Sequence, residues 1–234
     1  SDVCSSDLAG FGASGLGVED AQQLARLSLQ ATSNLHAQIA LWQRRGLDWP
    51  QIYLEGITEA ARVLGRWWLC DEIDFASVTV GSSRLHRLLY DLSPQFLAGA
   101  QAPLGTTALL LAEPESQHTM GLFMLSEFFK RAGWYTLVEQ PRLDANVLRL
   151  LSSHWVDVLA LSVSTQRQWP ALKALVRQAR QLSPNPRMVI IAGGPMAMEH
   201  AGLLQELGVD WVGEDAASTV ERATLGVGPL TPQN

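Results

Sequence analysis

The 234-residue chain has little cysteine: Cys4 and Cys70, with no CxxC spacing. A disulfide framework or a structural zinc site needs more, so a reducing cytoplasm is the economical compartment. Charge is also scarce. Only 17% of residues are Asp, Glu, Lys or Arg, with 17 basic against 23 acidic side chains. The net charge of −6, with no basic run or helix-turn-helix pattern, argues against a nucleic-acid surface. No apolar stretch has the length of a membrane span, and no secretory signal stands at the start. There is no Gly-x-Ser-x-Gly elbow, no phosphate loop and no His-Glu-x-x-His pair. The expectation is a cytoplasmic protein that is not an enzyme and does not bind DNA or membrane directly.

What is abundant is apolar: 47% of residues are hydrophobic, enough for a substantial core. Two periods divide the chain. Up to residue 98 the spacing is helical, with Leu24, Leu27, Ala31, Leu35 and Ile39 in one stripe. Ile52, Ile57, Ala60, Ala61 and Leu64 form another, after a break at Gly46 and Pro50. A further helix is expected from Asp74, which can cap it, carrying Val78, Leu85, Leu88 and Leu89 inward. Residues 65–71 read as the turn before it.

Residues 99–105 are small or Pro and read as a linker. Beyond them, candidate strands at 107–112, 135–138, 156–163, 188–192 and 211–212 alternate with helices at 119–132, 144–152, 168–182 and 197–207. The fold class is therefore α/β: a helical bundle cap (18–98) followed by a flavodoxin/Rossmann-like parallel five-stranded sheet (106–225). Residues 1–17 are expected to be disordered or artefactual, and 226–234 a tail.

Three loops at the carboxyl ends of the strands carry the candidate chemistry. Ser116, His118 and Gly121 follow the first strand; Ser162 and Ser164 end the third; Gly193 and Gly194 end the fourth. In a flavodoxin-like strand order these loops adjoin one switch point, where open α/β sheets bind ligands. Neutral imidazole ligates transition metals, including one inside a macrocycle. Glycines let backbone approach a bulky ligand, and hydroxyls hydrogen-bond its polar groups. Each element alone has a plainer reading: a loop histidine is more often a surface group, and Gly-Gly-Pro is usually a turn. The order and spacing together are more specific.

Ser116-x-His118-x-x-Gly121, Ser162-x-Ser164 and Gly193-Gly194 resemble the signature of the cobalamin-binding domain. The resemblance implies that His118 is the lower axial cobalt ligand, displacing the cofactor's own base. It also implies that Ser162, Ser164, Gly193 and Gly194 border the pocket for the freed nucleotide tail. The stretch 61–81, with Trp67-Trp68, Asp71-Glu72-Ile73 and Val78-Thr79-Val80-Gly81, followed by Arg84-Leu85-His86, looks like the cap over the upper corrin face. It is most similar to the AerR/PpaA antirepressors of photosystem genes, and also to the related AppA-type heme-sensing (SCHIC) domain. The likeness implies a tetrapyrrole-binding sensor that responds to light or redox state and acts on a DNA-binding transcriptional repressor.

Two departures sharpen this. Ser116 stands where methyltransferase and mutase members carry an acid that tunes the axial histidine. Val78-Thr79 stands where adenosylcobalamin photoreceptors carry Glu-His, which favours a hydroxocobalamin-like form. Two alternatives remain on the same fold, a heme-binding redox sensor and a corrinoid carrier for a methyltransferase. Trp67 and Trp68 could equally be core and rim of the bundle, and His86 reads more readily as a helix histidine than as an upper ligand.

Overall fold

A computed structural model describes residues 15–112, 120–139, 145–165 and 169–227. They form two units, divided between Phe96 and Leu97.

In the first unit, α1 (Val18–Leu29) buries Ala21, Leu24, Ala25 and Ser28. The stripe read as continuous through Ile39 is interrupted. Residues 30–34 form a turn in which Ala31 is exposed, and α2 (Leu35–Arg44) starts afresh. Local polar chemistry makes the break: Ser33 Oγ donates to the carbonyls of Leu27 and Gln30, and Asn34 Oδ1 accepts from Ala37 N at 3.2 Å. Arg84 reaches across from a later helix to donate to the carbonyls of Leu27, Ser28, Gln30 and Ser33. One guanidinium thus gathers the carbonyls at the end of α1, two of which also accept from Ser33 Oγ.

A short α3 (Trp49–Gln51), capped by Asp48, runs into a π-helical stretch, Ile52–Thr58, and on into α4 (Glu59–Leu69). The wider turn suits the sequence, because Ile52 and Ile57 are five residues apart and both are fully buried. α4 continues through Gly65 to Leu69, so the turn expected at 65–71 lies instead at 70–74. There Glu72 N donates to the Trp67 carbonyl at 2.8 Å. Cys70, at the C-cap of α4, is half-buried. The long α5 (Phe75–Leu97) begins where expected, with Asp74 Oδ1 accepting from Ser77 N at 2.7 Å. Leu85, Leu88, Leu89 and Phe96 complete the core, where Tyr53 stacks on Phe96 at 4.1 Å.

The second unit is a five-stranded parallel sheet in the order β2-β1-β3-β4-β5. Its strands are β1 (Thr107–Leu111), β2 (Tyr135–Glu139), β3 (Val158–Ser162), β4 (Val189–Gly193) and β5 (Trp211–Val212). Strand period puts Leu109, Leu111, Leu159, Leu161, Ile190 and Ala192 into one core with α7 (Ala145–Ser153) and α8 (Trp169–Leu182). The other side holds α6 (Met120–Arg131), packed on β1 and β2 and against α11 (Ala216–Val227). Trp134 Nε1 donates to Thr224 Oγ1 at 3.0 Å across that layer.

The stretch read as a linker is pinned. Gln101 N donates to the Arg131 carbonyl at 2.8 Å and Leu104 N to that of Gly133 at 2.9 Å. Gly133 has φ +86°, and a Cβ there would lie 2.3 Å from the Ala102 carbonyl oxygen, so glycine is required for the approach. At the amino edge of the sheet, buried Asp157 accepts from Thr107 N, Trp155 Nε1 and Asn185 Nδ2. Three donors explain how a carboxylate tolerates that depth. The expected helix 197–207 is two pieces, α9 (Pro195–Glu199) and α10 (Ala201–Glu206), because His200 leaves helical geometry at φ −125°.

Candidate functional site

The strand order reverses between β1 and β3, which places a ligand crevice beyond their carboxyl ends. The chain leaves β1 at Leu111 and enters α6 at Met120. Ser116 and His118 fall between these points and lie outside the described residues. Gly121, in the first turn of α6, is exposed, and a Cβ added there would meet nothing within 4 Å.

The other two loops meet edge to edge. Ser162 is half-buried at the last position of β3 and is in register with Gly193 at the last position of β4. Val163 N then donates to the Gly193 carbonyl at 2.8 Å, and Met196 N returns to the Val163 carbonyl at 3.3 Å. Gly194 sits inside this clasp with φ +106° and ψ 170°, a conformation that essentially only glycine holds. A Cβ on it would lie 2.6 Å from the Val163 carbonyl oxygen. Ser164 is half-buried just beyond. The result is a cradle of backbone with two hydroxyl-bearing side chains at the carboxyl edge. Among the described residues no three His, Cys, Asp or Glu side chains gather as a metal cage.

The two tryptophans of the helical unit differ. Trp67 is half-buried, with the Arg26 guanidinium 5.8 Å from its ring. Trp68 is 45% exposed and meets Phe75, itself 66% exposed, edge-on at 6.4 Å. The Trp68–Phe75 pair makes an exposed apolar aromatic surface. Phase along the helix predicts that the two rings point differently; Phe75 belongs to the cap motif Asp71-Glu72-Ile73-x-Phe75, but its pairing with Trp68 joins two helices and leaves no mark in helical spacing.

His86 is half-buried on α5, its ring stacked on Tyr90 at 5.0 Å. Burial lowers its pKa from the ordinary 6.5. The folded protein therefore binds fewer protons at this site than the unfolded chain. The contribution of His86 to stability is complete above pH about 6.5 and is lost as pH falls below it. Urea midpoints measured from about pH 7 down to about pH 5 should decline in the wild type and less steeply in His86→Gln. Equal slopes in the two proteins would remove this role.

The geometry defines a doubly wound α/β domain with a backbone clasp between β3 and β4 at the carboxyl edge, next to the switch point between β1 and β3. Comparison with known proteins gives the class. Residues 107–223 match the family model of the B12 binding domain, and the chain belongs to that family. A relative 30% identical over 171 residues covers 72% of this chain and 88% of its own length. It is the uncharacterized 20.5 kDa protein of the bchF-crtJ intergenic region of Rhodobacter capsulatus. In fold, the chain is similar to the monomethylamine corrinoid protein of Methanosarcina barkeri, with a TM-score of 0.74 at 15% identity. That match covers 88% of this chain and 97% of the other. The helical unit followed by a five-stranded parallel sheet is thus the architecture of a corrinoid protein.

Proposed function

We propose that the protein holds cobalamin as a sensed cofactor and regulates a DNA-binding transcriptional repressor, without catalysing a reaction of its own. The observation that carries this is the clasp of Val163, Gly193 and Gly194 beside Ser162 and Ser164, where Gly193 is open: an added Cβ would meet only the Gly213 carbonyl oxygen, at 4.0 Å. His118 would ligate the cobalt and Ser116 would orient that imidazole, while Gly121 keeps the start of α6 open. Ser162, Ser164, Gly193 and Gly194 would hold the nucleotide tail. Trp67 and Trp68 would cover the corrin, for which flat apolar rings suit. When bound, cobalt supplies an exchangeable upper coordination position that light or redox state can alter.

Ser116 supports a sensor over a carrier, because a hydroxyl tunes the axial histidine more weakly than a carboxylate. Val78 is half-buried and Thr79 donates to the Phe75 carbonyl at 2.7 Å, so neither offers the Glu-His pair of an adenosyl-specific pocket. The likeness to photosystem-gene antirepressors is supported by the Rhodobacter capsulatus relative from the bchF-crtJ region.

The test is the visible spectrum of protein passed through gel filtration after exposure to hydroxocobalamin or to hemin. A retained corrin spectrum is expected. A Soret band without corrin retention would put heme in the site instead, and methyl transfer to an added acceptor would make the protein a carrier. In Trp68→Gln the affinity for hydroxocobalamin should fall about tenfold through loss of ring burial. Because Trp68 is exposed, the stability of the cofactor-free protein should change by less than about 0.5 kcal/mol. Unchanged affinity would remove Trp68 from the site.

A further inference from the structure

Trp169 opens α8, the helix that follows β3, and His200 joins α9 to α10 after the Gly194 turn. Their rings meet edge to face, with centroids 5.0 Å apart and planes at 81°. Both therefore belong to elements that leave the carboxyl edge of the sheet, where Ser162 and Gly193 end their strands. Three other indole nitrogens in the described structure have acceptors. Trp42 donates to Asp20 at 3.3 Å, Trp134 to Thr224 at 3.0 Å and Trp155 to Asp157 at 3.0 Å. Trp169 Nε1 is buried and has none. An indole buried in this way ordinarily finds a partner, and a buried donor without one destabilises the fold. A bound molecule that carries an acceptor would resolve the mismatch.

We infer that Trp169 is a specificity-determining residue whose N–H donates to a phosphate oxygen on the nucleotide tail of the bound corrinoid, with His200 holding the ring in place. The inference rests on the cobalamin reading above and adds to it a residue outside the Ser-x-Ser and Gly-Gly loops. It explains why a polar indole tip occupies a position that Phe would fill without an unpaired donor. It also makes retention depend on the tail and not only on cobalt ligation.

The experiment compares hydroxocobalamin with cobinamide, which lacks the nucleotide, on the full chain and on Trp169→Phe. Wild-type protein should prefer cobalamin. Trp169→Phe should cut that preference roughly tenfold, the value of one hydrogen bond to a charged acceptor. Cobinamide affinity should stay within about twofold of wild type. The cofactor-free variant should melt at the same temperature or higher, since an unpaired donor is gone. If Trp169→Phe fails to fold, the indole N–H resonance of Trp169 in the wild type decides. It should move downfield with cobalamin and not with cobinamide. Wild-type protein that binds cobalamin with the preference intact in Trp169→Phe, or with an unmoved resonance, overturns this inference alone. Wild-type protein that binds neither corrinoid overturns the cobalamin reading and the inference together.

Discussion

His118→Ala is expected to abolish retention of hydroxocobalamin through gel filtration, with affinity reduced at least about a hundredfold. The magnitude follows from comparison: losing a mere outer-shell partner of a metal ligand costs roughly 10–100-fold, so losing the ligand itself should cost no less. The corrin that still binds should show the spectrum of a cofactor without a protein imidazole below the metal, and added free imidazole should restore part of the lost absorbance shift. A circular dichroism melt of the cofactor-free variant separates lost ligation from lost fold. Wild-type affinity in His118→Ala would sink the lower-ligand assignment outright. The assignment rests on the resemblance and on topology: β1 ends at Leu111, beside β3, where the strand order turns back on itself.

Gly194→Ala should have the largest effect on the sheet unit, about 3 kcal/mol of stability, with corrinoid retention falling in step. Two costs combine. A φ of +106° with ψ 170° is strained for any L side chain, by about 1–3 kcal/mol. The new Cβ would also press on backbone, 2.6 Å from Val163 O and 3.1 Å from Val163 N. Val163 cannot easily yield, because its N–H is bonded to Gly193 and its carbonyl receives Met196 N. By contrast Gly121→Ala meets nothing within 4 Å and serves as the control in the same urea titration. A Gly194→Ala midpoint matching that of Gly121→Ala would show the clasp to be pliable.

Much of the second unit is visible in sequence because a parallel sheet writes its strands as short apolar runs between helical periods. β1 and β5 begin where those runs begin. β3 is shorter than its run: Asp157 is spent on the neighbouring strand's entry and Val163 on the clasp with Gly193. α11 was not legible, since its buried face consists of Thr219, Val220 and Ala223, a weak apolar signal. In the helical unit the stripe from Leu24 to Ile39 hid a chain turn, because Ser33 and Asn34 act through hydrogen bonds that hydrophobic spacing does not register.

The site divides along the same line. The Ser-x-Ser, Gly-Gly and His118 motifs are local in sequence, so their types and order are open to reading, and the family follows from them. Pairing is not local. That Ser162 stands opposite Gly193, that Arg84 closes the end of α1, and that Trp169 meets His200 are contacts between segments about 30 or more residues apart. No periodicity records which distant segment a side chain will face. Composition and spacing by themselves determined a helical unit, a parallel sheet and three loops at its carboxyl edge. Only the tertiary structure decided that Gly194 is compelled by Val163 and that one buried indole nitrogen lacks an acceptor, since both depend on backbone and side chains brought together by the β3–β4 register.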